Sequence, residues 1–150
     1  MSPVTIALVG AGHRGQKYAE WIAGNPDRAR LVAVADPLPQ RRERAGGTPY
    51  PGWEQLIEKG RVADAVIIAT QDRDHLGPAE AFALAGYHVL LEKPLAPTAD
   101  ECRRIVAAVE DAGDPAHIRS GPAESLAAHL AVFAAEQARH TGTVVTVPAA

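Results

Sequence analysis

The sequence predicts an α/β fold, a doubly wound parallel sheet in a single domain, and three observations carry that prediction. Residues 4–9 (VTIALV) form a short apolar run that passes through Gly10, Gly12 and Gly15 into a segment with Tyr18, Trp21 and Ile22 at i, i+3 and i+4. That is a buried strand, a glycine turn and the apolar face of a helix. Residues 29–36 (ARLVAVAD) make a second apolar strand closing on an acid. Further apolar runs at 63–70 and 88–92 alternate with helical stretches. Strands of that kind are covered on both faces, and the alternation gives right-handed crossovers.

Each element has its own signals. Asn25-Pro26-Asp27 is a turn between the first helix and the second strand. Residues 40–45 allow a short polar helix, and the Gly/Pro-rich stretch 46–52 leaves room only for a very short third strand. Trp53, Leu56 and Ile57 share a face of a helix over 53–59. The helix over 76–85 stops at Gly86, and Thr98-Ala99-Asp100-Glu101 is a capping box opening a helix that runs to about residue 112 and ends at Gly113. Gly121-Pro122 starts a last helix with Leu126, Leu130, Phe133 and Ala134 on one face and Gly142 at its end. Residues 143–147 alternate as a terminal strand, and 117–120 read as a short sixth strand. The expected organisation is a nucleotide-binding core over 1–113 and a strand–helix–strand extension over 114–150 packed on the same domain.

Composition narrows the partners. The 150 residues are 47% hydrophobic, enough for one globular core. The net charge is −3 without a long basic run, which argues against nucleic acid and anionic membrane as partners. No apolar stretch is long enough to span a bilayer, and the start lacks the pattern of a secretory leader, so a cytoplasmic protein is expected. Cys102 is the one cysteine, which excludes an intrachain disulfide. The histidines show no ligand spacing, and no metal is expected.

The glycine turn carries the chemistry. Gly10 permits the tight turn, Gly12 leaves the backbone open to a pyrophosphate, and Gly15 lets helix and strand pack closely. The helix N-terminus then offers free N–H groups and a positive dipole end to phosphate. Asp36 lies about twenty residues past the last glycine, where such sites hold the ribose hydroxyls. A carboxylate there repels a 2′-phosphate, so NAD is expected over NADP, although Arg41 and Arg42 soften the preference. His13 and Arg14 lie inside the turn, close to the phosphates.

With these strands placed, the later motifs identify a family. The stretch from Gly86 to Pro94 (GYHVLLEKP) resembles the A-G-K-H-V-L-x-E-K-P signature of the glucose–fructose oxidoreductase, inositol 2-dehydrogenase and rhizopine-catabolism (Gfo/Idh/MocA) family. Ile67-Ile68-Ala69-Thr70 followed by His75 resembles that family's strand and T-P-x-x-x-H loop. The resemblance covers about residues 1–113. It implies an NAD(P)-binding Rossmann domain and a sugar or polyol dehydrogenase activity. It implies that Lys93 lies near the nicotinamide and the reacting carbon. Glu92 and Pro94 would shape the turn beside it, with the proline in a cis bond in many members. Thr70 and Gln71 would meet the cofactor through backbone, Gln71-Asp72 standing where the family has Pro-Asn.

The resemblance also implies a larger second domain, which holds the substrate and supplies a catalytic Asp and His. The sequence instead passes to a segment, 125–145, that resembles the family's extreme C-terminus, as though the substrate domain were excised and the ends joined. No acid–base pair is carried over. Local candidates near the nicotinamide end are His75, Asp72 and Asp74. His75 either relays a proton or orders its loop, and the ordering role carries more weight. Asp114 with His117 is a weaker pair in a turn, and His129 and His140 are expected on the solvated side of the last helix. Two functions stay open: an NAD(P)-dependent oxidoreductase acting on a polyol or sugar-like substrate, and a non-catalytic nucleotide-binding sensor or subunit. The apolar ending, with Val144, Val145 and Val147, suggests a homodimer through the C-terminal segment.

Overall fold

The computed structural model describes residues 2–112 and 122–149, except the side chains of Pro122 and Ala123. Its elements are β1 (Val4–Val9), α1 (His13–Ala23), β2 (Ala29–Ala35), α2 (Pro39–Ala45), β3 (Thr48–Tyr50), α3 (Trp53–Ile57), β4 (Ala65–Ile68), α4 (Leu76–Leu84), β5 (His88–Leu91), α5 (Ala99–Asp111) and α6 (Pro122–Thr141). A single 3₁₀ turn, Asp72–Asp74, precedes α4. The strands form one parallel sheet in the order β3-β2-β1-β4-β5.

Side-chain alternation splits the core between the two faces. Leu8, Val34 and Ile67 point to one face, where Ala19 and Ile22 of α1 cover them. Their neighbours Ala7, Val9, Ala33, Ala35, Val66 and Ile68 point to the other, against Leu56, Phe82 and Ile105 from α3, α4 and α5. Strands buried on both faces cannot alternate apolar with polar, which is why they read as continuous apolar runs. The Thr98 hydroxyl caps α5 by accepting from the Glu101 N–H at 3.3 Å.

The last helix joins the same core. Leu126, Leu130 and Ala134 are buried, the first two within the cluster under α5, and Phe133 packs on it. The expected terminal strand does not form. Residues 144–149 have no regular structure, and Val144 is fully exposed. Alternating β-branched residues make a strand only where a sheet edge supplies ladder partners. Among the described residues the tail pairs with neither edge of the sheet. The described part of the extension is therefore a packed helix followed by a tail without regular structure, and no strand forms in that tail. The expected strand at 117–120, the end of α5 at Gly113, and Asp114 with His117 lie outside the described residues.

The register positions the site. Val9 is level with Ala35 on one side and Ile68 on the other, and Ile68 is level with Leu91. Gly10, Asp36, Ala69 and Glu92 therefore leave the sheet along one edge. The chain turns from β1 toward β2 and β3, then crosses back to β4 and β5. The crevice at that reversal, outside the carboxyl ends of β1 and β4, is where open parallel sheets bind ligands.

Candidate dinucleotide site

Three glycines in six residues are glycine for two different reasons. Gly10 has φ +86°, and a Cβ there would stand 2.7 Å from the Thr70 nitrogen and 2.8 Å from the Ala69 carbonyl group. A Cβ on Gly15 would stand 2.0 Å from the Gly10 oxygen. The fold itself forbids side chains at both. Gly12 has an ordinary φ of −68°, and a Cβ there would meet only the tip of Arg41, 3.7 Å away. Nothing among the described residues crowds position 12, and the space beside it is open. The space adjoins the start of α1, whose N-cap Gly12 has no side chain to cap the first-turn N–H groups.

Asp36 closes one side of this turn. Its carboxylate is buried, accepting the Ala11 N–H at 2.8 Å through Oδ2 and the Leu38 N–H at 2.9 Å through Oδ1. The Arg41 guanidinium lies 3.8 Å from Oδ2. Gln16, also buried, donates from Nε2 to the Ala11 and Arg41 carbonyls at 3.0 Å each, so it ties α2 to the glycine turn. Between α1 and α2 opens a cavity of about 360 Å³ lined by Gly12, His13, Gln16, Lys17, Arg41 and Arg44, among others. Its size is in the range of small-ligand sites, and its lining is rich in hydrogen-bond donors suited to an anionic ligand.

The other end of the edge is built from side chains. Glu92, just past β5, reaches α1: its carboxylate accepts from the Tyr18 hydroxyl and pairs with Arg14. It also accepts the Lys93 N–H at 3.2 Å. Partial burial pushes the Glu92 carboxyl upward, and the bonds from Tyr18 and Arg14 outweigh it, holding the group below the usual carboxylate range. Burial and the Glu92 carboxylate both push the Tyr18 phenol up. Lys93 is exposed, and its ammonium has no partner among the described residues. The Lys93–Pro94 bond is cis. The Thr70 hydroxyl donates to the Asp74 carbonyl at 3.3 Å across the loop, and the exposed Gln71 precedes the 3₁₀ turn.

His75 takes the loop-ordering place. It is 1% exposed, and Nδ1 lies 3.0 Å from the Pro94 oxygen and 3.2 Å from the Leu95 oxygen. The ring is thus enclosed against the Pro94–Leu95 backbone. The expectation for His129 is corrected. Rather than being solvated, its ring lies against the same loop, Nε2 accepting the Leu95 N–H at 2.8 Å. His140 does lie on the exposed side, 3.0 Å from Glu136.

The structure thus gathers Gly10, Gly12, His13, Arg14, Gly15 and Asp36 around one turn. It aligns Thr70, Gln71, Glu92, Lys93 and Pro94 along the neighbouring strand ends, with His75 beneath them. Sequence reasoning missed Gln16, Tyr18 and His129. A polar residue on the buried face of α1, four positions after Gly12, was the available signal for Gln16. Tyr18 reads as helix core from spacing alone, and nothing local marks its bond to Glu92.

A parallel sheet with a phosphate-ready turn at its switch point and a carboxylate at the end of the second strand defines a dinucleotide-binding α/β domain. Residues 4–120 match the family described as the oxidoreductase family, NAD-binding Rossmann fold, GFO_IDH_MocA. The chain belongs to that family and carries its NAD-binding domain. It is 39% identical over 112 residues to an inositol 2-dehydrogenase of Rhizobium meliloti, covering 72% of this chain and 33% of that protein. To the rhizopine catabolism protein MocA of the same species it is 35% identical over 107 residues, 69% of this chain and 33% of that one. Among solved structures, the WlbA dehydrogenase of Bordetella pertussis, in complex with NADH and UDP-GlcNAcA, superposes with a TM-score of 0.71 at 29% identity. That match covers 92% of this chain and 42% of the other. A levoglucosan dehydrogenase in complex with NADH and L-sorbose gives 0.67 at 28% identity, over 74% of this chain and 33% of the other. The chain spans about a third of the length of the curated relatives it matches. No helix of the described residues is long and apolar enough to cross a membrane.

Proposed function

We propose that the chain binds NAD(H) across the glycine turn and serves hydride transfer with a polyol or sugar-like substrate. The observation that carries the reading is the open space at Gly12, which the fold does not need and a pyrophosphate does. Bound NAD supplies the hydride acceptor. The chain's own residues do the rest. The first turn of α1 binds the phosphates, and Asp36 receives ribose hydroxyls. Glu92 fixes the turn beside Lys93, and Lys93 holds the substrate oxygen at the nicotinamide end. The relatives are named for inositol and sugar-type substrates, which supports that substrate class.

Titrating the chain into NADH and following cofactor fluorescence tests the reading, and a screen of polyols and sugar acids follows. NAD is expected to bind more tightly than NADP, because Asp36 meets the 2′-position. Asp36→Ser is expected to shift the ratio toward NADP about tenfold, the equivalent of about 1.4 kcal/mol of relieved repulsion. Tighter NADP binding by the parent chain would refute the role of Asp36.

A second reading rests on the open strand-end edge beside the exposed Lys93: a nucleotide-binding subunit or sensor whose substrate wall comes from another chain. A homodimer through the C-terminal segment would provide one, covering Val132, Val144 and Val147, which are 65%, 100% and 50% exposed. A cytoplasmic setting is part of both readings and agrees with the free, buried thiol of Cys102.

A further inference from the structure

The loop that carries Lys93 is held from two sides by imidazoles. His75, at the start of α4, directs Nδ1 at two carbonyl oxygens, those of Pro94 and Leu95. Carbonyls only accept, so Nδ1 carries the proton. Nε2 is buried and has no hydrogen-bond partner among the described residues. His129, from α6, directs Nδ1 at the Ser125 carbonyl one helical turn earlier, at 2.7 Å. Its Nδ1 likewise carries the proton, and Nε2 must be unprotonated to accept the Leu95 N–H. Each ring thereby carries a proton on Nδ1, and the Nε2 of His129 is the acceptor. On the other side of Lys93, its own N–H donates to Glu92, and the Glu92 N–H donates to the Ile68 carbonyl at 3.0 Å.

Lys93 has no side-chain partner of its own among the described residues, so the backbone on either side sets where it stands. We propose that His129 and His75 are a pair of positioning residues that clamp Pro94–Leu95 and so orient Lys93 over the cofactor cleft. The C-terminal helix then acts on the site, although none of its residues reaches the reacting atoms. Orientation of Lys93 toward a cofactor rests on the function proposed above; the clamp itself does not.

The test separates the two. Long-range nitrogen–proton correlation spectra of the intact chain, without cofactor, report ring tautomers, and both rings are expected as Nδ1–H. Amide exchange at Leu95 is expected to be protected. His129→Leu removes the acceptor and should speed that exchange about tenfold, in line with one lost hydrogen bond. His129→Gln, whose side-chain oxygen can stand near Nε2, should restore protection and the parent amide shifts of Lys93 and Leu95. A merely space-filling role would instead be served as well by leucine as by glutamine. An Nε2–H tautomer at His129, or equal Leu95 exchange in the leucine and glutamine variants, would overturn the proposal. NADH titration of the parent chain decides the cofactor reading independently, since tautomer and exchange are read in its absence.

Discussion

The two halves of the sheet's carboxyl edge are built in different ways. On the β1–β2 side, backbone does the work. Gly10 and Gly15 bring the turn so close to Thr70 and to itself that no Cβ fits, and Asp36 caps the Ala11 N–H. On the β4–β5 side, side chains hold each other. Glu92 joins Tyr18 and Arg14 of α1, and His75 and His129 hold the Pro94–Leu95 backbone. The first construction tolerates no change in local backbone. The second can lose one member and keep its fold, at the expense of where Lys93 stands.

The largest contrast should appear at Gly15. Gly15→Ala places a methyl group 2.0 Å from the Gly10 oxygen and 3.0 Å from the Gly10 carbonyl carbon, a clash with backbone rather than with the end of a flexible side chain. Urea unfolding should show a loss of about 3 kcal/mol or more, beyond ordinary overpacking. A variant as stable as the parent would mean that the turn is not held by close backbone contact.

A middle-sized effect is expected at Glu92. Glu92→Gln loses charge-assisted bonds on a mostly enclosed group, and about 1–2 kcal/mol of stability is expected to go with them near neutral pH. Its carboxyl is depressed in the folded state, so its contribution is full above the unfolded carboxylate value and is lost as pH falls through the lower folded value. The difference between parent and variant should therefore shrink in acid below about pH 4. A difference that stays constant through that range would break the link between β5 and α1.

The contrast explains how much could be read from sequence. The glycine turn and Asp36 were legible because backbone demands act over short, fixed spacings. The strands were legible because burial on both faces leaves continuous apolar runs. Tyr18 with Glu92 and Leu95 with His129 were not, since those partners lie 74 and 34 residues apart and no local pattern encodes them. The tail at 143–147 misled for a related reason. Val144 and Val145 have strand propensity, but propensity acts only with a partner edge.

The smallest effect on stability should come from that tail. Ending the chain at Gly142 removes a tail that is mostly exposed, with only Val145 partly buried among its described residues, and should change stability by about 0.5 kcal/mol or less. Light scattering of both lengths sharpens the comparison. A dimer that dissociates on truncation would support the C-terminal interface, and a monomeric intact chain at micromolar concentration would sink it.

The most direct test of the account is NADH binding by Gly12→Val, read beside its unfolding midpoint. The fold leaves room at that position, with only the movable tip of Arg41 nearby. A midpoint close to the parent's and no detectable NADH binding are expected. A folded Gly12→Val chain that binds NADH as tightly as the parent would place the phosphates elsewhere and contradict that expectation.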